Sequence, residues 1–342
     1  MNKGQVTIKD IAKELGISPS TVSKALKGHR DISASTKKAV EELVEKWNYK
    51  PNPLALSLQG GLSRTIGVIV PEIAHYFFST VIGGIEDLAY ESGYHVMFCQ
   101  SSESYEREVK AVKTLLSCRV DGILVSVSKM TYDYNHFMKI VENDVPLVFF
   151  DRICSEIDTD RVIVDDEEGA YEAVKHLINI GCKNIVHLSG PPNLQIGKNR
   201  LAGYLRALKE FNFPIDENNI IKCDTGEDAS QIVPGLLERK VRPDGIFAVN
   251  DLTATGSMKQ VLMQGYRVPE DVAIVGFTSG LNSDLTSPTL TSVKQNGYII
   301  GREAVRLLID RIEGKTHIPS QTIVIKTELL VKGSTVRNYM LG

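Results

Sequence analysis

The chain has 342 residues, 42% hydrophobic and 24% charged, with a net charge of −3; this length predicts two or three domains, each able to bury a core. No run approaches ~20 apolar residues, which excludes a membrane-spanning helix, and the polar start from Met1 to Asp10 lacks the apolar centre of a signal peptide. Cys99, Cys118, Cys154, Cys182 and Cys223 are odd in number and lack ligand spacing, so reduced thiols, no metal and a cytoplasmic location are expected.

Charge is unevenly spread. Residues 1–62 hold ten Lys/Arg against six Asp/Glu, a net of +4, while the rest holds 29 against 36, a net of −7. A basic head on an acidic body directs the head at a polyanion. Three short helices are predicted there. Thr7 can cap the first, whose stripe is Ile8, Ile11, Ala12 and Leu15, and Gly16 stops it. Ser18 suits the next N-cap and Pro19 the first helical position, with Val22, Ala25 and Leu26 facing inward until Gly28 ends the helix. Ser33 opens a third helix carrying Val40, Leu43, Val44 and Trp47. Two helices joined by a tight turn follow the helix-turn-helix plan. The second exposes Ser20, Ser23, Lys24 and Lys27, hydroxyls and cations suited to base edges and phosphates. Lys37 is expected to contact phosphate whatever the sequence.

The segment from Tyr49 to Gly61 follows. Asn52 can cap a helix there and Pro53 can start it, while Gly60 and Gly61 must end it. Barely two turns long, with Leu54, Leu56 and Leu58 exposed, it is expected to fold only against a partner.

From Arg64 the pattern becomes strands alternating with amphipathic helices. Strands are predicted at Thr65–Val70, Tyr94–Cys99, Gly122–Val127, Leu147–Phe150 and Val162–Val164. Beyond a helix around Tyr171–Ile180 they resume at Asn184–Leu188, Gly245–Val249 and Val272–Gly276. Short Val/Ile-rich strands separated by helices imply parallel doubly wound sheets. The run is too long for one such sheet, so two similar lobes with a cleft between them are expected, the residues just after each strand lining it. Gly83 and Gly84, on the helix after the first strand, would permit close approach of a second copy or of the chain's own sheet.

These stretches carry a resemblance. The head reads T-I-K-D-I-A-K-E-L-G-I-S-P-S-T-V-S-K-A-L-K-G from Thr7, then I-S-A-S-T-K-K-A-V from Ile32 and N-Y-K-P-N from Asn48. The core adds R-T-I-G-V-I-V-P from Arg64, V-D-G-I-L from Val120, F-F-D-R from Phe149, N-R-L-A-G-Y from Asn199, A-V-N-D from Ala248 and D-V-A-I-V-G-F from Asp271. Together they resemble the lactose/galactose repressor family from residue 7 to about 333.

The resemblance implies an all-α helix-turn-helix head plus an α/β core of two doubly wound parallel-sheet lobes, like a periplasmic binding protein. The expected division is 1–50 for the head and 51–63 for a hinge helix and linker. The core, 64–342, would comprise one lobe of 64–162 plus 292–320 and another of 163–291 plus 321–342. It also implies a homodimeric repressor of sugar-utilisation genes, reading a palindromic double-stranded operator. No cofactor or membrane is involved. The DNA-binding set is Thr7, Ser18, Pro19, Ser20, Thr21, Ser23, Lys24, Lys27, Arg30, Asn52, Ala55 and Leu58, the last wedging into the central base step. A sugar, sugar acid or sugar phosphate would lie between the lobes on Tyr76, Phe77, Asp151, Arg152, Arg200, Asn250, Asp251, Thr278 and Gln295. Asp251 can equally cap its helix, and Arg200 is hard to explain as packing.

The sequence departs from the family at Lys27, usually Asn, at Leu56, often Arg, and at Thr278, commonly Asp. A carboxylate lost there, with Arg152 and Arg200 facing the cleft, is compatible with an acidic ligand.

Enzyme motifs are lacking. Gly190 to Asn199 superficially resembles a phosphate-binding loop, but Pro192 replaces its first glycine and Asn199 its hydroxyl ligand. A secreted binding protein would share the two-lobed core, and the basic helical head argues against it.

Overall fold

A computed structural model describes residues 6–26, 28–49, 62–315 and 319–337, the side chains of Leu281 and Asn282 excepted. The chain forms two compact units, Met1–Ser63 and Arg64–Gly342.

In the head, α1 (Ile8–Glu14), α2 (Pro19–Leu26) and α3 (Ala34–Lys46) follow the predicted pattern. Ile11, Ala12, Val22, Ala25, Val40 and Leu43 form the core, with Trp47 and Tyr49 packed against it. Gly16 sits at φ +65°, the left-handed conformation in which glycine carries no Cβ penalty, and the Ile17 N–H closes back on the Ala12 carbonyl at 3.0 Å. That bond sets the turn between α1 and α2. Ser33 caps α3 by accepting the Thr36 N–H at 3.2 Å. The anticipated hinge helix lies outside the described residues.

The core unit alternates strand and helix. Its first half runs β1 (Thr65–Val70), α4 (Tyr76–Glu91), β2 (His95–Gln100), α5 (Tyr105–Ser117), β3 (Gly122–Val125), α6 (Asn135–Glu142), β4 (Leu147–Phe150) and β5 (Asp160–Val164). Its second half begins with α7 (Asp166–Asn179), β6 (Ile185–Ser189), α8 (Gln195–Glu210), β7 (Ile220–Lys222), α9 (Gly226–Leu237) and β8 (Gly245–Ala248). It continues through α10 (Asp251–Met263), β9 (Ala273–Thr278), the short α11 (Leu281–Leu285), β10 (Thr291–Lys294), α12 (Gly297–Ile312), β11 (Thr322–Ile325) and β12 (Glu328–Leu330).

All eight predicted strands form, two with the expected bounds and the rest with ends within two residues of them. Strands β7, β10, β11 and β12 were not anticipated. They are three or four residues long, and Thr291–Lys294 carries a single large apolar side chain, too little for a periodic signal.

Two six-stranded sheets result, in the orders β11-β5-β4-β3-β1-β2 and β12-β10-β9-β8-β6-β7. Every pairing is parallel except β10 with β12. The central strands are apolar on both faces because helices cover both. In β1, Ile66, Val68 and Val70 pack with α4 and α12 residues such as Phe78 and Ile300, while Ile69 faces Leu115 and Phe137. Fully burying each such side chain stabilises by roughly 1.5–3 kcal/mol.

The expected lobe boundaries need correction. Strand β10, assigned from residue 292 to the first lobe, pairs with β9 in the second sheet, and β11, assigned to the second lobe, pairs with β5 in the first. The chain therefore crosses at Asp165, at Gln295–Asn296 and at Lys326–Thr327. These crossings lie side by side. Asp165 accepts the Thr327 N–H at 2.7 Å and lies 3.2 Å from Lys326 Nζ, while Asn296 Nδ2 donates to the Lys326 carbonyl at 3.3 Å. Hydrophobic pattern identifies a segment as a strand but does not assign it to a lobe; hydrogen-bond register decides that.

Gly84 is committed to the chain's own packing: a Cβ would stand 2.1 Å from the Tyr298 carbonyl oxygen of α12. Gly83 faces open space.

Candidate functional site

Two regions gather exposed or unsatisfied polar groups. On α2, Val22 and Ala25 are buried, and Pro19, Ser20 and Lys24 stand exposed on the other side, with Ser23 half-buried. Ser20 and Lys24, four residues apart, share a face. Lys24 Nζ lies 4.0 Å from Asp31 with both side chains more than half exposed, a pairing that water and salt screen heavily. Ser18 is the cap: its Oγ accepts the Thr21 N–H at 3.0 Å and lies 2.7 and 2.8 Å from the Ser20 and Thr21 hydroxyls. The Thr7 hydroxyl donates to Asp10 at 2.6 Å, turned toward its own helix. Arg30 is exposed. Lys27, Asn52, Ala55 and Leu58 lie outside the described residues. Lys37, expected on phosphate, instead donates to the Gly28 carbonyl at 2.9 Å, tying α3 to the end of α2.

The second region is the cleft where the carboxyl ends of both sheets meet, the place a doubly wound sheet reserves for ligands. It encloses about 680 Å³ including space open to solvent, within the range of small-molecule sites. Seven of the nine effector candidates line it: Phe77, Asp151, Arg152, Arg200, Asn250, Thr278 and Gln295. The other two do not. Asp251 is buried, accepting from Ser292 Oγ at 2.5 Å and from the Gly280 N–H at 3.0 Å. It does not cap α10; Asn250 does, accepting the Thr253 N–H at 2.8 Å while its Nδ2 donates to the Asp224 carbonyl. Tyr76 lies against Gly280 and lines a separate hollow with Thr80, Lys294 and Tyr298.

Cations in the cleft already hold carboxylates. Arg200 is 4% exposed, with Nη2 2.7 Å from Asp166, Nη1 donating to the Val249 carbonyl at 2.7 Å, and its guanidinium 3.8 Å from the Phe277 ring centre. It is thus a packed core group as well as a cleft wall, contrary to the sequence expectation. Arg152 Nη1 donates to Glu103 at 2.8 Å, and Lys129 Nζ lies 3.2 Å from Asp224. Asp151, at φ +58°, has its carboxyl pushed up to about 6, chiefly by burial and against the pull of Arg152. Burial likewise pushes the Asp166 carboxyl up, opposed by Arg200, and pushes the His75 imidazole down.

Among the described residues, three buried polar atoms of the cleft lining have no hydrogen-bond partner: His75 Nδ1, Gln295 Nε2 and Arg152 Nε, the last 3.9 Å from Asp151. Thr278 spends its hydroxyl on Gln295 Oε1 at 3.2 Å, which leaves the Gln295 amide nitrogen free. Helices α4 and α8 also reach the cleft with N-caps, His75 and Leu194, that make no side-chain cap bond. Helices α5, α9 and α10 are capped by Ser104, Thr225 and Asn250. First-turn N–H groups of α4 and α8 thus remain for another acceptor.

Sequence reasoning missed Glu72, His75, Phe78, Glu103, Lys129 and Asp224, which also line the cleft. The signal was available for most of them: they follow β1, β2 and β3, where the rule for doubly wound sheets places ligand groups. Asp224 was hidden because β7 itself was not recognised.

A head that presents a reading helix, joined in sequence to a two-lobed core with an unsatisfied polar cleft, defines a ligand-regulated DNA-binding protein. Residues 7–52 match the profile of bacterial regulatory proteins of the lacI family, and residues 174–335 match the periplasmic binding protein-like domain. The chain is 35% identical over 315 residues to the HTH-type transcriptional repressor PurR of Vibrio atlanticus (strain LGP32), covering 91% of this chain and 93% of that one. It is 34% identical over 333 residues to the repressor CytR of Escherichia coli (strain K12), covering 96% of each. Among solved structures, the lac repressor dimer bound to operator and the anti-inducer ONPF superposes with TM-score 0.84 at 25% identity, over 97% of this chain and 100% of that one. The transcriptional regulator CelR in complex with cellobiose gives 0.74 at 28% identity, over 96% and 100%. The chain belongs to the LacI family: it is a DNA-binding transcriptional regulator, not an enzyme, with a small-molecule effector.

Proposed function

We propose that the protein is a cytoplasmic homodimeric repressor of sugar-utilisation genes that reads a palindromic operator and answers to an uncharged sugar-like effector. The convergence of His75 Nδ1, Arg152 Nε and Gln295 Nε2 on one cleft carries the effector reading. Buried polar groups without partners are costly, and ligand hydroxyls satisfy donors and acceptors alike. Asp151 supplies a carboxylate for hydroxyl donors, and Phe77 and Phe78 supply apolar faces for C–H surfaces. Because Arg152, Arg200 and Lys129, the cations among the described residues of the cleft lining, already hold Glu103, Asp166 and Asp224, an added anionic group would find each of them paired. Pairing therefore favours a neutral sugar over the sugar acid or phosphate that the sequence allowed. The cellobiose of CelR and the ribose bound to a LacI family regulator of Enterococcus faecium, 27% identical, are neutral ligands of similar proteins.

On the DNA side, Pro19, Ser20, Ser23 and Lys24 read base edges, with Arg30 beside them and Thr7, Ser18 and Thr21 steadying the helix. Lys27, Asn52, Ala55 and Leu58 complete the set on the strength of the resemblance. The test is a thermal-shift screen of neutral sugars beside their acids and phosphates. A ligand at a hundredfold excess over Kd adds about 2.7 kcal/mol of stability. The hit is then titrated into the operator complex. Stabilisation by phosphorylated or acidic sugars alone would overturn the neutral-ligand reading.

A further inference from the structure

At the mouth of the cleft, polar groups form a connected chain from one lobe to the other. Glu103, in the turn after β2, accepts Arg152 Nη1 with both carboxylate oxygens, at 2.8 and 2.9 Å. Its Oε2 also accepts the backbone N–H of Lys129 at 2.7 Å. Lys129, in the loop after β3, then spans the cleft twice. Its Nζ donates to Asp224 Oδ2 at 3.2 Å, and its carbonyl accepts from Asn193 Nδ2 at 2.8 Å. Asp224 follows β7 and Asn193 precedes α8, both in the opposite lobe.

The two bonds on Lys129 differ from those at the crossings between lobes. There the chain itself joins the lobes, and Asp165, Asn296 and Lys326 only brace it. At the mouth no covalent link exists, and although Tyr76 of the first lobe also lies against Gly280 of the second, the polar bonds that span the mouth are those of Lys129. Its side chain is 30% exposed and that of Asp224 15%, so the pair is only partly screened. Glu103 is placed with unusual care. It and Ser102 take φ values of +57° and +50°, a conformation few non-glycine residues adopt, and one that persists only where surrounding contacts impose it. The same carboxylate thereby orients Arg152, a residue that lines the ligand cleft, and fixes the loop that crosses it.

We propose that Lys129 is the latch that holds the two lobes closed at the cleft mouth, through Asp224 and Asn193, with Glu103 as the residue that positions it. The inference deepens the effector reading, since it names the element through which the cleft governs lobe spacing, and it rests on that reading for its regulatory meaning. The latch consists only of bonds within the chain, so it can be tested without an effector.

Hydrogen exchange on the full-length protein without ligand tests it. Lys129→Met and Asp224→Asn should each speed amide exchange at least tenfold in segments 126–131 and 190–197, one in each lobe. Glu103→Gln should do the same although Glu103 makes no bond to the second lobe. The charge swap Lys129→Asp with Asp224→Lys should restore protection in both segments. Effects confined to the lobe carrying the substitution, unchanged exchange, or a swap as exposed as the single variants would each overturn the latch. Because no effector enters the experiment, failure of the latch and failure of the effector reading are distinguishable.

Discussion

On α2, the side chains offered to DNA stand exposed, with Lys24 4.0 Å from a solvated Asp31, whereas in the cleft Arg152, Arg200 and Lys129 are each bound to a carboxylate of the chain itself. The difference follows from the medium. Water and counterions hold an exposed ammonium until a phosphate or base replaces them. A cation enclosed between two lobes has no such reserve, and the fold must supply its counter-charge. The head can therefore change its partner without touching its own stability, while the cleft cannot change a charge without disturbing the fold around it.

The largest expected effect tests that claim. Arg200→Ala leaves Asp166 buried without its partner and should lower unfolding free energy by about 3–5 kcal/mol. The sequence alone had made Arg200 hard to explain as packing. Urea denaturation at pH 7 measures it, and a wild-type midpoint would break the comparison.

Asp151→Asn should act in the opposite direction. The folded state raises this carboxyl from 3.8 to about 6, so it holds the proton more tightly than the unfolded chain does. The ionised group therefore costs stability above about pH 6, and the cost disappears as pH falls toward the unfolded value. The variant should be more stable at pH 8 by roughly 2–3 kcal/mol, with the gain shrinking to nothing near pH 4. Melting curves across that range sharpen the comparison, and a pH-independent difference would contradict the assignment to ionisation.

In the head, Lys24→Ala should leave stability within about 0.5 kcal/mol while costing on the order of 1–3 kcal/mol of affinity at one position of each half-site. Operator variants mutated one base at a time give the readout. An equal loss on every sequence would reduce Lys24 to a phosphate contact.

The smallest effect belongs to Lys37, a cation of the head that, like those of the cleft, is held by the fold. Its bond to the Gly28 carbonyl predicts that Lys37→Met destabilises the head by about 0.5–1.5 kcal/mol. The salt dependence of DNA binding should stay unchanged; a slope reduced by nearly one unit would return Lys37 to the phosphate backbone.

The head was legible in the sequence because its determinants are local. Ser18, Pro19, Gly16 and Gly28 punctuate helices a few residues away, and the face shared by Ser20 and Lys24 follows from helical period alone. Eight strands were legible for the same reason, since Val/Ile runs mark a strand wherever it ends up. The cleft required more. Glu103, Lys129 and Asp224 lie far apart in the chain, and nothing near any of them in sequence announces the other two. Arg200 was recognised as polar and conspicuous, but its bond to Asp166 across 34 residues made it structural as well. The lobe membership of β10 and β11 was likewise undecidable locally, because hydrogen-bond register between distant strands determines it. Local sequence sets which segments become helix or strand and which face they bury. Only the folded chain decides which charges meet, because pairing depends on distances that loops and sheet order create.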